Sequence, residues 1–355
     1  CEMANDLINM GFIGAGGNTR LRHLPGFKDI EGVTLASVAN RSRESGQKVA
    51  DEFGIGKVYD DWEELLQGSD SNAICIGTWP YMHCQLVVDA LASGKHVLTE
   101  ARMAMNSEEA RAMLSASLAS PNLIAQVVAS PMTLGDDKKI NQLIAEGYLG
   151  DVLSVDLVIS QGGFKETESS FHWRYDRDIS GNNIMTMGIW YEGIMRWLGP
   201  AESVTSINRV HVKSRADESG LNRHITVPDH VEILCEMASG PVMRMRLSSV
   251  TGLGPIDGVW LFGTEGTLFL KGPSRATRTP ASLSGGRRGD SELTPIEIPT
   301  DQQGAWRVEE EFINAIRGIE PVTHTSFFDG VKYMEFTDAV TMSAQTGQKI
   351  QLPLI

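Results

Sequence analysis

Three groups of residues in this 355-residue chain are of types and spacings that could do chemistry. The first is a turn nearly bare of side chains, Gly14-Ala15-Gly16-Gly17-Asn18-Thr19, directly behind the apolar run Leu7–Ile13. In such a turn Gly14, Gly16, Gly17 and Asn18 let backbone N–H groups approach a pyrophosphate at a positive helix terminus. The last position of the G-x-G-x-x-G/A pattern is Thr19, whose bulk and β-branching make close helix–strand packing less comfortable. The second group is the strand end Val38-Ala39-Asn40-Arg41-Ser42-Arg43. An acid at position 40 would accept from an adenosine ribose and repel a 2′-phosphate. Neutral Asn40, followed by Arg41, Ser42 and Arg43, instead favours NADP over NAD as cofactor. Arg41 stacked on adenine and a solvated Arg43 are the competing readings. The third group is Phe171-His172-Trp173-Arg174-Tyr175-Asp176-Arg177-Asp178, the densest polar and aromatic patch of the second half. His172 is its acid/base candidate, because imidazole titrates near neutral pH. Tyr191 and Glu192 are further candidates, against the alternative of a buried, hydrogen-bonded Tyr and a solvated Glu. They follow Trp190 on one helix, so the three cannot share a face. Trp173 and Trp190 could offer flat surfaces to a sugar ring, whereas Trp197 reads as core. The histidines show no i,i+4 or clustered carboxylate spacing, so no metal is expected.

The elements that must position these groups fall into two blocks. The first ~130 residues alternate short apolar strands with helical patterns, as βαβ units do. Strands are expected at Leu7–Ile13, Val33–Ala39, Ala73–Gly77, His96–Thr99 and Leu123–Val128. Asn106-Ser107-Glu108-Glu109 reads as a capped helix start, and Gly94 as a helix stop. From about residue 150 longer strands take over, at Gly150–Ser160, Ser203–Val212, Val231–Met237, Val242–Val250, Val259–Phe262 and Thr267–Leu270. One helix, Ile184–Leu198, interrupts them, and helices return at Trp306–Ile316 and Phe328–Ala344. The expected fold is a doubly wound α/β Rossmann domain over 1–130 and an α+β domain over 131–355. The second carries a large, mostly antiparallel open sheet, and its last helices would pack back on the first domain. The Gly-, Ser-, Pro- and Arg-rich stretch Gly272–Glu297 reads as a mobile surface loop with a solvated Arg287-Arg288 pair.

Bulk properties narrow the partners. A net charge of −14 argues against broad binding to nucleic acid or an acidic membrane. No apolar stretch approaches the ~20 residues of a membrane span, and no basic-then-apolar leader opens the chain. The four cysteines (Cys1, Cys75, Cys84, Cys235) lack C-x-x-C spacing and read as free thiols in a reducing compartment. Cys1 as a lipoprotein end would leave almost no tether before the first strand, so the cytoplasm is expected. Apolar residues on both faces of Val231–Met237 and Val242–Val250 imply a sheet covered by another subunit, in a homodimer or homotetramer.

Several segments together resemble the Gfo/Idh/MocA family, typified by glucose–fructose oxidoreductase and inositol dehydrogenase. Arg22-His23-Leu24-Pro25 is a common continuation of its glycine turn. Gly77-Thr78-Trp79-Pro80-Tyr81-Met82-His83 is similar to its T-P-x-x-x-H loop, and Ala92–Glu100 to the run into its E-K-P motif. Ala145–Val152, Trp173-Arg174, Ser180-Gly181, Met187-Gly188 and Arg196–Gly199 resemble its second-domain segments. The resemblance implies an NAD(P)-dependent oxidoreductase acting on a carbohydrate. It places Thr78, Trp79, His83 and Glu100 with Asn40, Arg41 and Ser42 around the cofactor, and Arg102, Trp173, Arg174 and Trp190 around the substrate. His83 as a local cap, and Trp79 as a core indole, remain alternatives. The departures bear on mechanism. E-K-P reads Glu100-Ala101-Arg102, and in the D-x-G-x-H-x-x-D run Thr186, Trp190 and Gly193 hold the positions of the first Asp, the His and the last Asp. Ala, Thr and Trp cannot take a proton from a sugar hydroxyl near neutral pH. Acid/base work would therefore move to His172, with Tyr191 or Glu192 assisting. Transient oxidation with elimination of a glycoside, a non-catalytic sensor, and reduction of a conjugated substrate such as a tetrapyrrole are the other activities this resemblance allows.

Overall fold

The computed structural model describes residues 7–160, 163–272 and 281–354. Cys1 and the 273–280 part of the expected surface loop lie outside them. The chain forms two compact units, one ending at Ala129 and taking in Arg307–Val331, the other comprising Ser130–Trp306 and Lys332–Ile355.

In the first unit, strands β1 (Ile8–Ile13), β2 (Val33–Ala39), β3 (Lys57–Tyr59), β4 (Ala73–Ile76), β5 (His96–Thr99) and β6 (Ala125–Val127) form one sheet in the order β3-β2-β1-β4-β5-β6. Every pairing in it is parallel. Helices α1 (Leu24–Lys28), α2 (Arg43–Phe53), α3 (Trp62–Gln67), α4 (Pro80–Ala92) and α5 (Ser107–Ala119) make the crossovers. The strands are near-continuous apolar runs because helices cover both faces of such a sheet. Ser42, Asp61 and Asn106 cap α2, α3 and α5 by accepting from Ser45 N, Glu64 N and Glu109 N. The chain order reverses between β1 and β4, and their carboxyl ends open the crevice where such sheets bind ligands.

Thr19 is accommodated in a way its size does not announce. It is 1% exposed, and a Cβ on Gly77 would collide with its hydroxyl oxygen. Gly77 thus supplies the space that the missing third glycine would have left. The chain then enters a π-helical turn, Thr19–His23, closed by Leu24 N donating to Thr19 O.

In the second unit, α6 (Asp137–Ala145), β7 (Val152–Ser160), α7 (Arg177–Ser180) and α8 (Met187–Leu198) precede the strands. Those are β8 (Ala201–Arg209), β9 (Ser214–Ala216), β10 (Asn222–His224), β11 (His230–Met237), β12 (Val242–Ser248), β13 (Gly258–Gly263), β14 (Gly266–Lys271), β15 (Ser282–Arg287) and β16 (Thr294–Pro295). Helix α9 (Val308–Ile316) lies in the first unit, α10 (Phe327–Thr346) begins there, and β17 (Ile350–Gln351) closes the chain. Nine strands form a mixed sheet, β16-β15-β14-β13-β7-β12-β11-β8-β17, antiparallel except for β12 on β7. The expected surface loop is therefore corrected: Ser282–Arg287 pairs in full register with β14. Small residues there fit a pleated edge as well as a turn, and composition alone could not tell the two apart.

The expectation of apolar residues on both faces of β11 and β12 is also corrected. Burial alternates along both strands, and Glu232, Glu236, Arg244 and Arg246 occupy the outer face with Leu234 and Val242. The apolar part of that face lies on β13 and β14, where Trp260 stacks on Phe269 at 4.1 Å between centroids and Phe262 adjoins at 5.8 Å. Cys75 and Cys235 are buried free thiols and Cys84 is half-buried. Burial pushes Cys84 up to about 11 and raises Cys75 and Cys235 well above the ordinary thiol value. No helix among the described residues is long and apolar enough to cross a membrane.

Candidate functional site

The glycine turn and the β2 end frame a cleft of about 580 Å³ in the first unit, lined by Gly14, Gly16, Asn40, Arg41, Thr78 and Trp79 among others. Gly14 N donates to Ala39 O at 2.9 Å and Gly77 N to Ile13 O at 2.8 Å, which ties the turn to the strands on both sides. Gly14 has φ +78°, and a Cβ there would meet Thr78 N at 2.9 Å, so glycine is required by the fold itself. Gly16 differs. A Cβ there would find Gly14 O at 3.8 Å and Gly77 O at 3.9 Å, which are ordinary contacts. Nothing lies within 4 Å of one on Gly17. The space over Gly16 and Gly17 is thus held open by residue type and not by packing, as a cradle for a diphosphate needs. Thr78 Oγ1, buried in the cleft wall without a hydrogen-bond partner, fits a polar ligand atom. On these observations the residues present fit a dinucleotide.

The β2 end is assigned differently from its sequence reading. Asn40 Oδ1 accepts from Ala15 N at 2.7 Å, so its side chain fixes the turn. Ser42 caps α2, and Arg43 pairs with Asp60 at 2.8 Å. Arg41 is exposed with its guanidinium 5.8 Å from the Trp79 ring centroid. Asp60, Asp61 and Glu63 line the same cleft.

His83 is corrected from ligand contact to a buried ring between the Thr78 loop and the segment after β5. It is 1% exposed; its Nδ1 lies 3.1 Å from Arg102 O and 3.2 Å from Met103 O, and its Nε2 lies 3.1 Å from Thr78 O. Burial lowers its pKa against these bonds, and as a neutral ring it donates from one nitrogen only, either to Thr78 O or to the carbonyls of the segment after β5. Arg102, expected at the substrate, is 7% exposed.

Glu100 directly follows β5 and is half-buried. Its Oε1 accepts from Asn18 Nδ2 at 2.5 Å and lies 3.0 Å from His23 Nε2. His23, fully buried, brings Nδ1 within 2.5 Å of Glu309 Oε1 on α9. Burial alone would push His23 down, but the two carboxylates raise it to about 9. Glu100 is pushed up by burial yet held below the ordinary carboxylate range by bonds from His23 and Asn18.

In the second unit, α8 is buried nearly all round. Trp190 is 3%, Tyr191 0% and Glu192 1% exposed, which corrects all three as substrate-facing groups. The Tyr191 hydroxyl accepts from Ala201 N at 2.7 Å, its ring stacks on Phe336 at 3.7 Å, and burial drives its pKa far upward. Glu192 Oε1 accepts from Ser130 N at 3.0 Å and Arg196 Nη1 at 2.8 Å, while Arg196 also pairs with Asp137 at 2.9 Å. A Cβ on Gly193 would meet Thr133 Oγ1, itself bonded by Arg196, at 2.8 Å. The helix face to which the resemblance assigns proton-handling residues is here a packed ionic core.

His172 remains exposed. Its Nδ1 accepts from Arg174 N at 3.2 Å, its ring lies 5.4 Å from Trp173, and the Arg174 guanidinium sits 4.2 Å over Trp173. Partial burial, then the Arg174 charge, hold His172 below 6.5. Among the described residues no group of three His, Cys, Asp or Glu side chains could hold a metal ion.

Residues 8–129 match the profile of the oxidoreductase family with an NAD-binding Rossmann fold, and residues 138–269 that of the GFO/IDH/MocA C-terminal domain. The chain belongs to the Gfo/Idh/MocA family. Within this family it is 27% identical over 268 residues to mouse glucose-fructose oxidoreductase domain-containing protein 2, spanning 75% of this chain and 68% of the relative. It shares the Gfo/Idh/MocA fold with levoglucosan dehydrogenase solved in complex with NADH and L-sorbose, at TM-score 0.82, 20% identity, and 98% and 99% of the two chains covered. It also matches the aldose-aldose oxidoreductase of Caulobacter crescentus complexed with glycerol, at TM-score 0.77, 19% identity, and 98% and 100% covered.

Proposed function

We propose that this chain is an NAD(H)-dependent oxidoreductase of a carbohydrate or sugar derivative, with His172 at the reacting oxygen. The observation that carries the reading is the cleft at the carboxyl ends of β1 and β4, whose open glycine face has no structural need to be bare. The sugar-acting proteins sharing the fold support the substrate class. When bound, a nicotinamide supplies the hydride acceptor or donor. His172 is neutral at pH 7, and with Nδ1 accepting from Arg174 N its hydrogen sits on Nε2. That N–H donates to the substrate oxygen and stabilises charge growing there as hydride transfers, while the hydroxyl proton exchanges with water at this exposed site. Trp173 offers the sugar ring a flat apolar face. The test is NADH absorbance followed against a sugar panel, in both directions. Tight sugar binding with no absorbance change on any member of the panel would replace this reading with the sensor.

The cleft supports NAD in place of the NADP expected from Arg41-Ser42-Arg43. Ser42 is occupied and Arg43 is neutralised by Asp60, while Asp61 and Glu63 on the cleft wall would repel a 2′-phosphate. Arg41→Ala should weaken NADH and NADPH alike, by about threefold to tenfold, through loss of a stacking cation. Titrations of both cofactors check this, and a selective loss of NADPH would restore the phosphate reading.

We further propose that a second copy of the chain covers the Trp260–Phe262–Phe269 face, giving a homodimer or homotetramer. Three adjoining aromatic rings on an uncovered sheet are the kind of apolar patch that marks an interface. Light scattering should give at least twice the 38.8 kDa chain mass. A stable monomer, or an oligomer that Trp260→Glu leaves whole, would count against it.

A further inference from the structure

The chain Glu309–His23–Glu100–Asn18 runs from a buried end on α9 to an exposed end at the rim of the glycine turn. Three separate elements meet in it: α9, the π-helical turn, and the end of β5. In a sheet of this topology, the dinucleotide runs across the switch point. With its adenosine at the β2 end beside Asn40 and Arg41, its other nucleoside lies toward the ends of β4 and β5. Glu100 is the carboxylate there, and Oε2, which also accepts from Ala101 N at 3.3 Å, is the oxygen not engaged by His23.

We propose that His23 and Glu309 are positioning residues for the cofactor: a protonated imidazole clamped between two carboxylates fixes Glu100, and through it Asn18, to receive the ribose hydroxyls of the nicotinamide half. This rests on the dinucleotide reading above. A protonated imidazole donates from both nitrogens, so each carboxylate has a donor. A neutral ring donates from one only, so loss of the proton leaves either Glu100 or Glu309 facing a lone pair. The other titratable groups whose charges bear on these carboxylates are Cys75 on β4 and His83 on α4. Cys75 is raised well above its ordinary value and His83 is lowered, so neither changes charge between pH 7 and pH 9. The pair with His23 raised to about 9 therefore loses its clamp as pH rises through that value. The stability it contributes is complete below the ordinary 6.5 and lost over the same rise.

The experiment is an NADH affinity titration by fluorescence from pH 6.5 to 10.5, with the His23 imidazole followed by NMR in histidine-labelled protein. Affinity should stay level to about pH 8 and then fall on the order of tenfold as His23 deprotonates, because a charge-assisted hydrogen bond to Glu100 is lost. Glu309→Gln removes one carboxylate, so both the imidazole titration and the fall in affinity should move together to lower pH. A purely structural role would lower the melting temperature of that variant and leave the shape of its affinity profile unchanged. An affinity in wild-type protein that is flat while His23 titrates overturns the proposal and leaves the cofactor reading standing. Should Glu309→Gln not fold, the wild-type pair of titrations decides alone. Absence of NADH binding at every pH overturns both.

Discussion

Gly16→Val should weaken NADH binding by at least roughly a hundredfold while leaving the melting temperature close to wild type. The two halves of that expectation come from different contacts. Inside the protein a Cβ at Gly16 finds nothing closer than 3.8 Å, so the fold has room for it. Outside, valine methyls would stand where backbone N–H groups must come within hydrogen-bond distance of a diphosphate. Gly14→Ala is the companion, because its effect should be reversed in kind. At φ +78° with Thr78 N at 2.9 Å, an added Cβ strains the turn and should lower stability by about 1–3 kcal/mol. Calorimetry with NADH and thermal unfolding on both variants read the difference. A Gly16→Val protein that binds NADH as wild type does would sink the dinucleotide assignment for this turn.

His172→Ala should lower kcat/KM on an identified sugar by about a hundredfold or more, the usual cost of removing one donor aimed at developing charge. NADH affinity should not change. His172→Gln, which keeps an N–H donor, should recover part of the loss. The pH profile carries the sign. Because partial burial and Arg174 hold the His172 pKa below 6.5, the neutral ring prevails at pH 7, and activity should fall only as pH drops below the ordinary histidine range. Below that range the added proton goes to Nδ1 and breaks the bond from Arg174 N. Wild-type turnover in His172→Ala would remove the residue from the chemistry.

Features fixed by neighbours in the chain and features fixed by distant residues separate by the range of the interaction involved. The strands Val33–Ala39 and His96–Thr99, the Asn106 cap and the glycine turn are set by local runs, caps and φ preferences, and they occur where expected. Tyr191 and Glu192 carry side chains that can exchange protons. Whether they meet solvent depends on Phe336, Ser130 and Arg196, which lie far off in the chain or across a turn of helix. The loop before His83 lines the cleft, but the His83 ring turns away to three backbone carbonyls. His23 stands in the sequence only as part of the Arg22–Pro25 run, since nothing nearby identifies Glu309, 286 positions later, as its partner.

Apolar periodicity, glycine at positions of forced backbone and the long run of family-like segments were enough to establish a Rossmann unit followed by a sheet-rich unit. Those signals are carried by neighbours within about one element, where sterics and burial act on the sequence directly. The charge state and availability of the candidate site residues came from the folded arrangement. A pKa or an open donor depends on which groups lie within a few ångströms, and here those groups are contributed by elements that the chain brings together only on folding.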